Sequence, residues 1–219
     1  MRDLPKIYKR YFTNVDFCIA VFVASVIFIV GVAVSFLAGL YATIRASNYV
    51  EDIVLSNVPV WSVDEAFVVG TFVLVGFVFI VLIARPHWIP FTLSSLGVFY
   101  AIRALFISLT HLGPFPDKVE VHDWGAAVQS FIGGNDMFFS GHTGAPFLLA
   151  LIFWHTKPLR YVFLAWSVFF AIVVLLGHVH YSIDVMSAFF ITFAIFHLCE
   201  HLFVTYRHLF HNGLPGLEL

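Results

Sequence analysis

The sequence predicts an all-α protein, a polytopic bundle of membrane-spanning helices. Of its 219 residues, 61% are hydrophobic and only 11% are charged, whereas about a quarter of the residues in a soluble domain are charged. The mean hydropathy of +0.95 is equally unlike that of a soluble domain. Six apolar segments approach or exceed the length of about 20 helical residues that a bilayer requires. They are residues 17–44, 66–84, 88–111, 141–156, 159–178 and 180–205.

The first and fourth segments need separate justification as spans. Residues 17–44 are too many for the apolar region of a cleaved signal peptide, and no small-residue cleavage site lies near their end, so we expect this helix to be retained. Residues 141–156 form the shortest segment, and we expect its outer end to lie below the headgroup surface. The other four segments have the length of a membrane-spanning helix.

The distribution of Lys and Arg predicts that both termini are cytoplasmic, because cytoplasmic loops carry an excess of these residues. With the N-terminus inside, two of the eleven cations, Arg45 and Lys118, lie outside, and Arg103 lies within a span. The eight predicted inside are Arg2, Lys6, Lys9, Arg10, Arg85, Lys157, Arg160 and Arg207. The loops predicted outside are residues 45–65, 112–140 and 178–180.

The organisation of the chain is simple. We predict a single integral membrane domain over residues 1–219, with the motifs that carry chemistry within residues 100–190. Cys18 and Cys199 both fall in apolar helix, so no disulfide framework is readable. A compact chain without an added soluble domain favours a bacterial inner membrane. We expect no nucleic-acid partner, and the oligomeric state is not indicated.

Ionisable residues within the spans are the first indication of a functional site, because such residues are costly in hydrocarbon. Arg103, His142, His180 and Asp184 all fall within predicted spans. The predicted orientation places all four toward the outer side. Three separate segments would therefore bring ionisable groups to one leaflet.

The stretch GHVHYSIDV, residues 177–185, contains a histidine and an aspartate four residues apart. On a helix, His180 and Asp184 would share a face. The carboxylate could accept a hydrogen bond from one imidazole nitrogen and leave the other nitrogen bare and nucleophilic.

The stretch SGHT, residues 140–143, predicts an anion site at the start of a helix. Ser140 is a capping residue, and the amides of a first helical turn attract anions. Gly141 would let an oxyanion approach the backbone, and His142 could give a proton to a leaving oxygen. Because His180 also lies at a predicted helix start, we expect two positive helix ends to face one anion.

These residue types suit phosphoryl transfer through a phosphohistidine. In this hypothesis His180 attacks phosphorus, Asp184 stabilises the imidazolium and His142 protonates the leaving alcohol. No metal or cofactor is required. The predicted phosphate-binding residues are Ser140, Gly141, Arg103 and His178.

The two stretches together resemble the paired signature of the type 2 phosphatidic acid phosphatase superfamily, integral membrane enzymes that act on lipid phosphates. The similarity is closer to the sphingomyelin synthase branch: residues 136–143 match its D-x3-S-G-H-T pattern, and residues 178–185 match H-x-H-Y-[ST]-x-D-V. Six spans and an outward-facing site agree with that branch. The resemblance covers residues 100–200, about half the chain.

The resemblance implies roles where the residues match: His180 is the nucleophile, Asp184 orients it, and His142 acts first as acid and then as base. Ordinary lipid phosphatases also carry a K-x6-R-P motif, which this chain lacks. Their S-R pair is replaced here by Val173 and Val174. A phosphate monoester approaches two negative charges and favours a clamp of Lys and Arg, whereas a phosphodiester carries one charge. The missing cations therefore favour headgroup transfer from a diester lipid.

Two polar residues in these motifs, Asp136 and His178, have more than one possible interpretation. The synthase branch usually shows Cys-Gly-Asp where this chain has Gly134, Asn135 and Asp136. Asp136 either polarises His142, contacts a choline-like cation or caps a loop. His178 either binds phosphate or caps the end of the fifth predicted helix.

Other functions remain open at this stage. Water as acceptor would make the protein a lipid phosphate phosphatase or a phospholipase C-like hydrolase, and ceramide or diacylglycerol would make it a synthase. A zinc enzyme could use His142, His178, His180 and Asp184 as ligands. A transporter or a haem-binding bundle would not be an enzyme of this kind.

The remaining polar candidates carry weaker predictions. We read His197 and His201 as interfacial or packing residues near the inner end of the sixth predicted helix. Tyr181 is read as an interfacial aromatic residue. His111 ends the third predicted helix, and no role is assigned to it.

Overall fold

The structure is a computed structural model and describes residues 4–119 and 137–214, which are helical wherever they are regular. The helices are α1 Leu4–Phe12, α2 Val15–Arg45, α3 Asp64–Ala84, a 3₁₀ turn Pro86–Trp88, α4 Ile89–Leu109, α5 Gly141–Ile152, α6 Lys157–Leu176, α7 Ser182–Leu202 and α8 Val204–Asn212. The predicted all-α class is confirmed for these residues.

Within the described residues, five helical segments are long and apolar enough to cross a bilayer, which indicates a multi-pass membrane protein. They are Val15–Arg45, Asp64–Ala84, Pro86–Leu109, Lys157–Leu176 and Ser182–Leu202. The predicted count of six spans is not confirmed, and the cytoplasmic placement of both termini stays a prediction.

The predicted fourth span, residues 141–156, corresponds to the short helix α5, which ends at Ile152. Its 12 residues extend about 18 Å at 1.5 Å per residue, which is less than a hydrocarbon core of about 30 Å. The helix stops because the chain turns, with the Thr156 amide donating to the Phe153 carbonyl at 2.8 Å. Pro158 in the first turn of α6 then starts a new helix.

Successive spans run in opposite directions, which gathers both sequence motifs at one end of the bundle. We call this the signature end; it comprises residues 46–63, 110–119, 137–142 and 176–184. Backbone hydrogen bonds join its parts: Ser47 N to His111 O at 2.8 Å, Trp61 N to Leu176 O at 2.9 Å and Ser140 N to Asp184 O at 3.2 Å. The other end, with residues 84–88, 152–157 and 200–212, is called the opposite end.

Helices α2 and α4 cross with their backbones in contact. A Cβ atom added at Gly31 would lie 2.2 Å from the Gly97 carbonyl oxygen, and one at Gly97 would lie 2.6 Å from the Ile27 carbonyl oxygen. Small residues permit such close approach between membrane helices. The crossing holds α4, and with it Arg103, closely against α2.

Candidate active site

The turn before α5 is strained and aims a carbonyl group at Arg103. Phe138 and Phe139 both have positive φ, 78° and 64°, which costs about 1–3 kcal/mol per residue outside glycine. The Phe139 carbonyl accepts from Arg103 Nε at 3.1 Å. Ser140 follows as the predicted cap of α5, with its Oγ accepting from the Thr143 amide at 3.4 Å.

Arg103 packs directly against Gly141. A Cβ atom at position 141 would lie 2.9 Å from Arg103 Nε and 3.3 Å from its Cζ. Arg103 is buried, and its Nη1 lies 3.5 Å from Ser35 Oγ. Close approach at Gly141 was expected of an oxyanion, and the structure places a guanidinium there. A cation therefore lies beside the amide end of α5, a combination that suits an anion.

His142 lies in the first turn of α5 against an aromatic wall. Its ring centroid is 4.4 Å from that of Phe67 on α3 and 5.6 Å from that of Phe170 on α6. Both phenylalanines are buried, so the wall keeps water from that side of the imidazole. Sequence reasoning missed both phenylalanines, because nothing in an apolar span distinguishes the ring that will face a polar residue.

The predicted hydrogen bond between His180 and Asp184 is present. His180 Nδ1 lies 3.2 Å from Asp184 Oδ2, and the two side chains are 4% and 0% exposed. With an ionised carboxylate, Nδ1–H donates and Nε2 keeps its lone pair. The expectation that both residues lie within one helix is wrong, because α7 begins at Ser182. The same Oδ2 accepts from the Tyr181 amide at 3.0 Å, which folds the chain back and brings His180 within reach.

The two motifs are in backbone contact. The Ser140 amide donates to the Asp184 carbonyl, so the start of α5 lies beside the first turn of α7. Arg103 reaches the same place through Gly141. The structure thus brings Arg103, the capped start of α5 and the His180–Asp184 pair to one end of the bundle. Their catalytic roles stay proposals.

His178 is tied to the loop between α2 and α3. Its Nε2 lies 3.1 Å from the Val58 carbonyl oxygen, and its ring meets that of Phe115 edge-on at 5.2 Å. Its Nδ1 is buried and has no hydrogen-bond partner among the described residues. Because Nε2–H donates to Val58, a contact from Nδ1 to phosphate would require the doubly protonated ring. His178 also has positive φ, 50°, which it shares within the described ranges only with Phe138 and Phe139 among non-glycine residues.

A carboxylate that sequence reasoning missed occupies the start of α7. Asp52 Oδ2 accepts from the Ser182 amide at 2.7 Å and from Ser182 Oγ at 2.8 Å. The expectation of two open helix ends facing one anion is therefore wrong, since a protein carboxylate fills one of them. Asp52 lies in a loop, so a search for ionisable residues within spans does not detect it.

Tyr181 is buried rather than exposed at a membrane interface. It is 1% exposed, its hydroxyl donates to the Gly113 carbonyl at 2.8 Å, and the Val50 amide lies 3.3 Å from the same oxygen. It joins the loops that precede α3 and follow α4. Asp136 lies outside the described residues.

The remaining histidines lie apart from this cluster or contribute backbone contacts. His111 accepts from the Ser47 amide through its carbonyl oxygen. His197 and His201 lie on the last turns of α7, toward the opposite end. Within the described ranges, no three His, Cys, Asp or Glu side chains are grouped to hold a metal ion.

Comparison with known proteins bears on the same part of the chain. A family model described as PAP2 superfamily C-terminal matches residues 133–202, which include both motifs and helices α5 to α7. The match supports the type 2 phosphatidic acid phosphatase superfamily. Membership of that superfamily would make the protein a membrane enzyme of the lipid phosphatase type, and the match supports this assignment. Searches of curated proteins and of solved structures gave no match.

Proposed function

We propose that this protein is a membrane phosphotransferase that moves the headgroup phosphate of a phosphodiester lipid to ceramide or diacylglycerol, in the manner of sphingomyelin synthases. The observation that carries the proposal is the buried His180–Asp184 pair, which leaves Nε2 as the free nucleophilic nitrogen. It lies beside an anion-binding helix start at an end of the bundle that also holds a buried arginine.

In the first half-reaction, His180 Nε2 attacks phosphorus and the bond from phosphorus to the diacylglycerol oxygen breaks. His142 gives its proton to that oxygen, and the headgroup phosphate stays on His180. Asp184 stabilises the positive imidazole that forms. In the second half-reaction, His142 takes the proton of the acceptor hydroxyl, whose oxygen attacks phosphorus and releases His180.

The charges of the site support a diester donor. Arg103 places its guanidinium against Gly141 of the SGHT stretch. One guanidinium and the amides of one helix start match the single negative charge of a diester better than the near-double charge of a monoester. Because Asp52 fills the start of α7, no second set of amides is added.

Hydrolysis is the second candidate, and the family match favours it because the superfamily takes its name from a lipid phosphatase. The first half-reaction would be unchanged. Water would then replace the lipid hydroxyl as acceptor, making the protein a phosphatase or a phospholipase C-like enzyme.

The deciding experiment incubates the detergent-purified protein with phosphatidylcholine, with and without ceramide or diacylglycerol, and with phosphatidate in parallel. Mass spectrometry reads the products. The proposal predicts an acceptor-dependent transfer product that His180→Ala abolishes and that the matched variant His197→Ala retains. Release of free headgroup phosphate whatever the acceptor would favour the hydrolase. Much faster hydrolysis of phosphatidate than of any diester would overturn the diester assignment.

A further inference from the structure

The loop between α2 and α3 is bound along the segment that carries the proposed nucleophile. We call residues 46–63 the strap. It reaches residues 176–182 at four points, although more than a hundred residues separate the partners in sequence. The contacts are Val50 N to Tyr181 Oη at 3.3 Å, Asp52 Oδ2 to Ser182 N at 2.7 Å, His178 Nε2 to Val58 O at 3.1 Å and Trp61 N to Leu176 O at 2.9 Å.

Asp52 uses both carboxylate oxygens in this arrangement. Oδ1 accepts from the amides of Val54 and Leu55 at 2.8 and 3.1 Å, which shapes the strap itself. Oδ2 accepts from the amide and the hydroxyl of Ser182, which holds the start of α7. Burial alone would raise the pKa of Asp52, but the hydrogen bonds from Leu55, Ser182 and Val54 outweigh it and lower the pKa below its ordinary value. Asp52 therefore stays ionised at neutral pH.

The local sequence supplies part of the cap of α7, because Asp184 in the first turn accepts from the Tyr181 amide. Tyr181 occupies the N-cap position, and tyrosine is not among the residues that cap well. Its hydroxyl is engaged by Gly113 and Val50. Asp52 therefore supplies, from a distant loop, the acceptor for the Ser182 amide, and it adds a second carboxylate to the one that Asp184 places in the first turn, where a helix favours negative charge.

We propose that Asp52 is a positioning residue for His180, an inference that rests on the proposed function. Ser182 lies two residues after His180 and two before Asp184, in the middle of the turn that their hydrogen bond closes. A carboxylate that anchors the Ser182 amide fixes that turn. It thereby fixes the direction in which Nε2 points at phosphorus. Misplacement of a reacting group by about 1 Å can cost about 100-fold in rate.

The test compares Asp52→Asn with Glu51→Gln, a matched control on the adjacent, exposed carboxylate of the strap. Asparagine keeps the size of the side chain, but it has one acceptor oxygen where Asp52 uses two, so either Ser182 or the amides of Val54 and Leu55 lose their acceptor. We expect kcat to fall about 10- to 100-fold with KM nearly unchanged, at a temperature at which both variants are folded. Glu51→Gln should match the wild type, and Asp52→Glu should recover part of kcat.

A double-mutant cycle separates positioning from general stability. Ser182→Ala removes the hydroxyl contact and keeps the amide, so we expect a smaller fall in kcat. The effects of Asp52→Asn and Ser182→Ala should be less than additive, because both act on one contact. If Asp52→Asn does not fold, Ser182→Ala carries the test alone, and a wild-type kcat in that variant would overturn the proposal. Additive effects, or a fall in kcat that only tracks the loss of folded protein, would overturn it too.

Single-turnover measurement distinguishes this inference from the proposed function. The rate of phosphohistidine formation at His180 is followed by mass spectrometry in the wild type and in Asp52→Asn. A wild type that never forms the intermediate would remove the proposed function and this inference together. If the wild type forms the intermediate and Asp52→Asn forms it equally fast, the positioning role of Asp52 is contradicted and the proposed function stands.

Discussion

A histidine–carboxylate pair lies near each end of helix α7, and the two pairs differ in exposure and in the distance between their atoms. His180 and Asp184 lie 3.2 Å apart and are 4% and 0% exposed. His197 and Glu200 lie closer, at 2.7 Å, but are 47% and 17% exposed. The shorter hydrogen bond thus belongs to the more exposed pair. Proximity alone does not identify a candidate active site.

The neighbours of each carboxylate explain the contrast. Glu200 is shared between His197 and Arg207 of α8, and ion pairs at such a partly exposed site contribute little to stability. These residues line an open cavity of about 270 Å³ at the opposite end. Asp184 is held instead by a backbone amide, and distant parts of the chain fix the start of its helix. The pair at the signature end is therefore the one whose geometry the fold determines.

The largest effect is expected from His180→Ala. Removal of the nucleophile should reduce turnover by about 10⁴-fold or more, as in other enzymes that lose a member of a catalytic unit. Product formation from phosphatidylcholine measures it. A variant that keeps a tenth of wild-type activity would place the nucleophile elsewhere.

Asp184→Asn should follow, with a loss of about 10²- to 10⁴-fold in kcat. The neutral amide cannot stabilise the imidazolium, and its NH₂ group can turn the imidazole to the wrong tautomer. Glu200→Gln makes the same change in the more exposed pair, His197–Glu200, and serves as the control. Equal losses of kcat in the two variants would contradict the claim that only the buried pair at the signature end is catalytic.

Gly141→Ala should reduce kcat/KM about tenfold and destabilise the fold by about 1–3 kcal/mol, the usual cost of overpacking. The new methyl group would lie 2.9 Å from Arg103 Nε and displace the guanidinium. Gly76→Ala is the matched control, because no atom lies within 4 Å of a Cβ there. Thermal unfolding and activity assays compare the two, and an unchanged Gly141→Ala variant would contradict the proposed place of Arg103.

The smallest effect is expected from His197→Ala, with activity within about twofold of the wild type, as for most exposed substitutions. The ring is nearly half exposed and lies at the other end of α7. Steady-state rates with the same substrates check it. A loss of tenfold would give the opposite end a functional role.

The features that were predictable from sequence depend on short spacing. The separation of four residues between His180 and Asp184 predicted their hydrogen bond, and Ser140 before an apolar run predicted the helix cap. The cap forms in the first turn of α5, and the His180–Asp184 hydrogen bond forms across the turn that leads into α7, so in both cases a short separation in sequence determines which groups can meet.

The missed features depend on contacts between distant segments. Asp52 reaches Ser182 across 130 residues, and Phe67 reaches His142 from another helix. Neither contact has a local pattern that would predict it. The length of α5 was also overestimated: Phe153 and Trp154 are apolar enough to continue a span, but the chain turns at Phe153 and the helix ends at Ile152.

Trapping the covalent intermediate tests most directly whether His180 is the nucleophile. Wild-type protein is mixed briefly with phosphatidylcholine, quenched under alkaline conditions that preserve phosphohistidine, digested and sequenced by mass spectrometry. The phosphohistidine mechanism predicts headgroup phosphate on His180, and its absence from the His180→Ala variant. The modification at His142 or His197, or steady turnover with no covalent intermediate at any histidine, would contradict it.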